Sequence, residues 1–428
     1  MADFSVNVLR IDAVEDHPGA DRLSIVSVLG FKAITAKNLD GSHAHAVGDL
    51  IVYVPEQAVI PHDLLKKYGY WDDVKDRGML AGGQYDRVKI IKLRGVYSQG
   101  LIWPIRKEGN ATFLRDGSNV VYVKEGDDVT EFFGITKHEP KAASFQTGGG
   151  SGAIDTRIVM VAPEFALTYD FNSLQKDPKF LANDEVEVTE KLHGTLTRVS
   201  YRRWVQNPDL FGSGGVAVTT KGQGAKGIVF KNNRMNMGPL YLPTARDEKH
   251  AKWRRRLPFK FLHSLFGITE QPKSDKINLY VGVAVQQGLI DAVEAYGVKW
   301  RADVDLVGET YGQGVQKDYS YGQSVPVFKA FDIRVNGEWL DSTEKVIALN
   351  EMGIDRVPVL WKGMFDLAKL TELRDGKTTI AAEKGVKSNI REGIVITATG
   401  PQSGRERRPI QKMVSPDYLM KETGDEVQ

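Results

Sequence analysis

The segment Glu190-Lys191-Leu192-His193-Gly194-Thr195 sets a carboxylate, a lysine, an imidazole and a glycine side by side. It closes the run EVEVTEKL, where Val186 and Val188 face one way and Thr189 and Lys191 the other, as in a strand with a core face and a cleft face. A lysine held over a cleft can attack an electrophilic phosphorus once its ammonium is deprotonated, and burial or neighbouring cations would bring its pKa toward working pH. Gly194 would let a ligand approach the backbone closely. Four residues alone do not separate this reading from a surface lysine before a turn.

Other chemistries are excluded more firmly. The 428 residues include no cysteine, so thiolate zinc sites, disulfides and cysteine nucleophiles are ruled out. There is no G-x-x-x-x-G-K-[ST] phosphate loop, no H-E-x-x-H and no dinucleotide fingerprint after a strand. His43 and His45 read as surface groups rather than metal ligands. The formal charge of +2 gives no bulk field toward a polyanion. Residues 1–150 carry 18 basic and 20 acidic side chains, so the basic surplus lies C-terminal.

Length predicts two or three domains. Gly148-Gly149-Gly150-Ser151-Gly152 reads as a connector, giving an N-terminal domain over 1–146, a linker over 147–153 and a second domain over 154–428. Upstream, VNVLRI, LSIVSVL, LIVYV, VKIIKL, GLIW and VVYV alternate with turn signals, the spacing of a small β-barrel or sandwich. The turn His17-Pro18-Gly19-Ala20-Asp21-Arg22-Leu23 looks like one in oligonucleotide-binding OB barrels, and Lys92 and Arg94 beside Tyr97 suit a nucleic-acid backbone. Downstream, DLVGE, VFKAFDIRV and GIVITAT read as strands, while Val285, Leu289, Val293 and Tyr296 predict one helix ended by Gly297. Strands and helices mix without regular βαβ alternation, predicting an α+β fold. No leader pattern or bilayer-spanning run is present in the sequence as given, so a cytoplasmic protein without membrane contact is expected.

Five blocks then appear in one order: EKLHGT, VTTKG, VGETYGQGVQKDYSYG, FKAFDI and REGIVI. This order resembles the covalent nucleotidyltransferases, specifically ATP-dependent RNA ligases, over about 155 to 420. His193, where DNA ligases and capping enzymes have Asp, points to the RNA-sealing branch. An OB-like module ahead of the catalytic domain resembles the subfamily that seals nicks whose 3′-OH strand is RNA; DNA ligases usually carry theirs after it. The resemblance implies an OB-like barrel followed by an ATP-grasp-like nucleotidyltransferase domain of antiparallel sheets flanked by helices.

It also implies roles. Lys191 would take AMP from ATP as a phosphoramidate, in a nucleotide pocket shared with Glu190, His193 and Gly194. Lys221 would contact ribose or the incoming strand, Glu309 the ribose hydroxyl, and Phe331 would stack on adenine. Glu392 would help to hold Mg²⁺ or Mn²⁺. The family's last block has two lysines one residue apart, whereas Pro409-Ile410-Gln411-Lys412-Met413-Val414-Ser415 has only Lys412. Lys412 would neutralise the α-phosphate, with a second cation supplied by Arg405, Arg407 or Arg408. Cations and aromatics over 249–260, including Arg254 and Arg255, suit a phosphate backbone. The expected substrate is a nicked duplex with an RNA 3′-OH strand, bound by a monomer. A DNA ligase or capping guanylyltransferase would use the same lysine, and a non-catalytic RNA-binding protein is the alternative that the single lysine of the last block leaves open.

Overall fold

The computed structural model describes residues 4–109, 111–138, 155–237, 278–316, 319–380, 389–401 and 407–424. The expected linker over 147–153, Arg254, Arg255 and Arg405 lie outside the described residues.

In the N-terminal part, β1 (Asn7–Arg10), β5 (Leu50–Val54) and β6 (Leu101–Pro104) form one antiparallel sheet, with β5 in the middle. A second sheet contains β2 (Ala13–Asp16), β3 (Leu23–Val28) and β4 (Phe31–Ala36). Alternating apolar residues explain the pairing: Leu9, Ile51 and Ile102 from the first sheet meet Val26, Val28 and Ala33 from the second in one buried cluster. The HPGADRL turn joins β2 to β3. His17 Nε2 lies 3.0 Å from the Leu93 carbonyl, and Arg94 Nη1 donates to the Gly19 carbonyl at 2.9 Å, so the turn is pinned to the hairpin Ile91–Leu93/Val96–Ser98.

Two five-stranded sheets dominate the second part. In the first, β7 (Glu185–Lys191) lies between β12 (Val359–Met364) and β13 (Gly393–Ala398), and β14 (Ile410–Val414) follows β13. In the second, β9 (Val216–Thr220), β8 (Thr195–Tyr201), β10 (Val304–Tyr311) and β11 (Val327–Val335) lie side by side. Only Leu192-His193-Gly194 separates β7 from β8, so the candidate lysine stands where the chain passes from one sheet to the other.

The predicted single helix over 285–296 is two helices, α1 (Leu279–Gln286) and α2 (Leu289–Trp300). Gly288 at φ +65° breaks the run, and Gly297 lies inside α2, where a Cβ would meet the Tyr201 ring at 2.2 Å. The apolar spacing was correctly helical, but it continued across a left-handed residue that periodicity does not register. The helix α3 (Ser342–Met352) begins in a capping box in which Asp341 and Glu344 cap each other's backbone amides. The last labelled helix is α4 (Leu367–Arg374).

The two parts pack together. Phe31 of β4 is buried among Leu174, Leu370, Ile394, Ile396 and Met413 of the second part. Arg374 Nη1 donates to the Gly30 carbonyl at 3.4 Å, and the Tyr97 hydroxyl donates to Asp417. Among the described residues no helix is long and apolar enough to cross a membrane.

Candidate active site

Antiparallel register aligns one face of the first sheet. Lys191 pairs with Gly393, Thr189 with Val395, and Glu187 with Thr397; Val395 pairs in turn with Lys412, and Thr397 with Ile410. Period-two alternation therefore puts Lys191, Thr189, Val395, Thr397, Lys412 and Ile410 on one side. Val186, Val188, Ile394, Ile396 and Met413 occupy the other side, in the core. From the second sheet Leu196, Glu309 and Phe331 face the same space, and Lys221 follows β9. Together they line a cleft of about 240 Å³.

Lys191 Nζ contacts the Glu392 carboxylate, and both are largely buried. Lys221 pairs with Asp170 at 2.6 Å. The Lys412 pKa is lowered to about 8, by burial first and then by the charges of Lys191 and Lys221. Three lysines thus converge at one end of the cleft, a field suited to a polyphosphate. Burial pushes the Glu309 carboxyl up to about 8; Lys191 opposes the shift and the Glu392 charge adds to it. Two carboxylates close enough to repel each other, one of them in contact with the Lys191 ammonium, fit a hard divalent cation that takes one or two carboxylates and otherwise keeps water or phosphate oxygens. A cage made by protein alone is not indicated, because no group of three or more His, Asp or Glu that could hold a metal is found among the described residues.

Several singled-out residues do something other than expected. Gly194 does not open space for a ligand: a Cβ there would meet the Thr310 carbonyl oxygen at 2.3 Å and Glu309 Cγ at 2.9 Å. The missing side chain lets the β7–β8 turn lie against β10, with Gln316 Nε2 donating to the Gly194 carbonyl at 2.8 Å. The Glu190 side chain alternates to the core face, where it accepts from the Thr379 amide at 2.9 Å and hydroxyl at 2.6 Å, with Arg391 at 3.8 Å. His193 stands in an aromatic cluster. Its amide donates to the Tyr321 hydroxyl at 2.7 Å and its Nδ1 lies 2.8 Å from the Tyr418 hydroxyl. Phe331 borders the cleft, its ring centroid 5.4 Å from that of Tyr169.

Of the arginines offered as a second cation, the two among the described residues, Arg407 and Arg408, are engaged elsewhere. Arg407 pairs with Asp177. Arg408 pairs with Asp332, which also accepts from Tyr169 at 2.7 Å, and its guanidinium lies 4.0 Å from the Trp339 ring centroid. Ile410, one of the two positions beside Lys412 that could carry a second lysine, lines the cleft, and the cations acting on Lys412 are Lys191 first and then Lys221. In the N-terminal part Lys92 lies over the Tyr97 ring at 4.7 Å, while Arg94 is committed to the Gly19 carbonyl.

The reading of the sequence missed Asp170, which holds Lys221, and Lys345, which reaches the cleft from α3. Neither lies in a recognisable block; the only signal for Lys345 is a lysine on the apolar stripe of a helix.

A cleft between two largely antiparallel sheets, with a lysine where the chain crosses between them and cations and carboxylates around it, is the arrangement of a nucleotidyl-transferring enzyme. The RNA ligase family profile matches residues 184–414, more than half of the chain, and an OB-fold domain profile matches residues 5–105. The chain belongs to the RNA ligase family. Solved structures of a Naegleria gruberi RNA ligase are similar throughout. An apo mutant is 19% identical, with 98% of each chain covered and a TM-score of 0.60. A mutant with ATP and Mn is 19% identical, with 98% of this chain and 99% of that one covered and a TM-score of 0.57. The enzyme with PPi is also 19% identical, with coverages of 99% and 100% and a TM-score of 0.59. Likeness at this identity is one of fold. No curated protein matches the chain.

Proposed function

We propose that this RNA ligase seals nicks in duplexes whose 3′-OH strand is RNA, using ATP, Mg²⁺ or Mn²⁺ and a covalent intermediate on Lys191. The observation that carries this reading is the convergence of Lys191, Lys221 and Lys412 with Glu309 and Glu392 at one end of the cleft. Relatives of this fold solved with ATP and Mn and with AMP and Mn support the choice of nucleotide and metal.

In the first step Lys191 Nζ, as the neutral amine, attacks the α-phosphorus; a P–N bond forms, the α–β bridge breaks and pyrophosphate leaves. Its proton has an acceptor at hand in the Glu392 carboxylate. Lys412 and Lys221 offset the charge gathering on the α-phosphate and the leaving group. In the second step a 5′-phosphate oxygen attacks the same phosphorus, and the amine departs and regains its proton. In the third the 3′-OH attacks the 5′-phosphorus, forming the phosphodiester and expelling AMP. Glu392 would help to hold the divalent cation, which would supply Lewis-acid stabilisation of phosphate oxygens, and Glu309 would contact the ribose hydroxyl. Phe331 stacks on the base. The N-terminal OB domain clamps the duplex beside the nick, with Lys92 exposed on its hairpin and held over the Tyr97 ring. The enzyme acts as a monomer in the cytoplasm.

The test places ribose or deoxyribose at the last two nucleotides of the 3′-OH strand of a nicked duplex. Joining should be at least tenfold faster with ribose. Equal rates would refute the RNA assignment while leaving the lysine chemistry standing.

A further inference from the structure

Lys345 belongs to no block and no step above. It lies on α3, on the same face as Ala348 and Leu349, which are buried in the core with Ile333. The residue is 5% exposed, and its side chain lines the cleft with Phe331 and Val357. Its ammonium has no hydrogen-bond or ion-pair partner among the described residues. The stem is packed into the protein while the residue lines the cleft, so an ammonium with no acceptor from the protein is placed to donate to a ligand that binds there.

Position decides which part of the ligand that is. The phosphate end of the cleft is marked by Lys191, Lys221 and Lys412, whose charges act on one another. Phe331 marks the base end. Val357 donates its amide to Ala330, directly before Phe331, so the segment after α3 runs alongside that aromatic. Lys345 enters here. An ammonium offers three donors and no acceptor. It can therefore satisfy a ring nitrogen at the edge of a purine but not an exocyclic amine.

Resting on the function proposed above, we propose that Lys345 is a base-recognition residue, donating from its ammonium to one ring nitrogen of the adenine of ATP. Stacking on Phe331 is indifferent to base identity, and this directed contact fixes the orientation of the base; it selects adenine over guanine where the nitrogen is N1, which carries a proton in guanine.

The experiment measures binding of α,β-methylene-ATP and of its 1-deaza, 3-deaza and 7-deaza counterparts to the full chain by calorimetry, comparing wild type with Lys345→Met and Lys345→Ala. Lys345→Met should raise the Kd of the parent nucleotide at least tenfold. One deaza analogue should bind wild type as weakly as the parent binds the variant, and the variant should not distinguish that analogue from the parent. The melting temperature without nucleotide should be unchanged or higher for Lys345→Met, since an unpaired charge is removed. An unaltered Kd in both variants, or a loss of equal size for all three analogues, would overturn the proposal, the latter because it marks a merely structural role. Adduct formation with labelled ATP is scored separately. Wild type that binds nucleotide through Lys345 yet forms no adduct would refute the ligase mechanism and not this contact; wild type that binds no nucleotide would refute both.

Discussion

Two groups at the phosphate end hold protonation states unlike those they have in water, and each gives a sign that can be measured. Lys412, lowered to about 8, is mostly neutral in the free protein at pH 8.5 and charged at pH 6.5. A bound triphosphate favours the charged form, so binding of α,β-methylene-ATP should take up about half a proton or more at pH 8.5 and far less at pH 6.5. Calorimetry in buffers of different ionisation enthalpy measures this, and Lys412→Met should remove most of the uptake. Glu309 runs the other way in stability. Its folded pKa of about 8 exceeds the ordinary 4.5, so the native state holds a proton that the unfolded chain has lost between those values. Stability contributed by this group is therefore present at low pH and declines as pH rises toward 8. Glu309→Gln should melt above wild type at pH 8.5 and converge with it near pH 4.5. These states were not legible in the sequence, because both depend on burial between two sheets. That Lys191, Glu309 and Glu392 come near one another could be expected from the sequence, because each lies in a short ordered block.

At the scale of elements, the site depends on how closely the β7–β8 turn lies against β10. Gly194 sets that distance, since a Cβ would have to displace the Thr310 carbonyl rather than a flexible side-chain end. Gly194→Ala should lower stability by about 1–3 kcal/mol and slow adduct formation at least tenfold, with secondary structure retained by circular dichroism. Wild-type rates in this variant would show that the turn has slack. The alternation in EVEVTEKL announced the cleft face of β7 correctly, because a strand's period of two is visible in one sequence. The same logic did not carry to residues 285–296, where Gly288 splits the helix, nor to the last block, where pairing with Asp177 and Asp332 claims Arg407 and Arg408. Such assignments depend on partners distant in sequence.

Across the whole molecule, the N-terminal and catalytic parts share a core rather than a hinge. Phe31, 4% exposed, inserts among Leu370, Ile394 and Met413 beneath the sheet that carries Lys191. Phe31→Ala should cost about 3–5 kcal/mol and lower the melting transition of the catalytic part together with that of the OB domain. Two separate transitions, only one of them shifted, would show that the parts fold independently. The glycine-rich stretch suggested a division, and the repeated short apolar runs suggested a β-barrel. What composition could not disclose was this shared packing, because an apolar residue on β4 reads alike whether it faces its own barrel or a neighbour.

A phosphorus–nitrogen bond to Lys191 is the intermediate on which every later step depends. Wild type and Lys191→Met are incubated with ATP labelled at the α-phosphate and Mg²⁺, and protein-bound label and strand joining are read from the same samples. Wild type should carry an acid-labile AMP adduct that is lost on adding nicked substrate, and Lys191→Met should show neither adduct nor ATP-dependent joining. Joining by Lys191→Met at wild-type rate, or an adduct that persists without this amine, would contradict it.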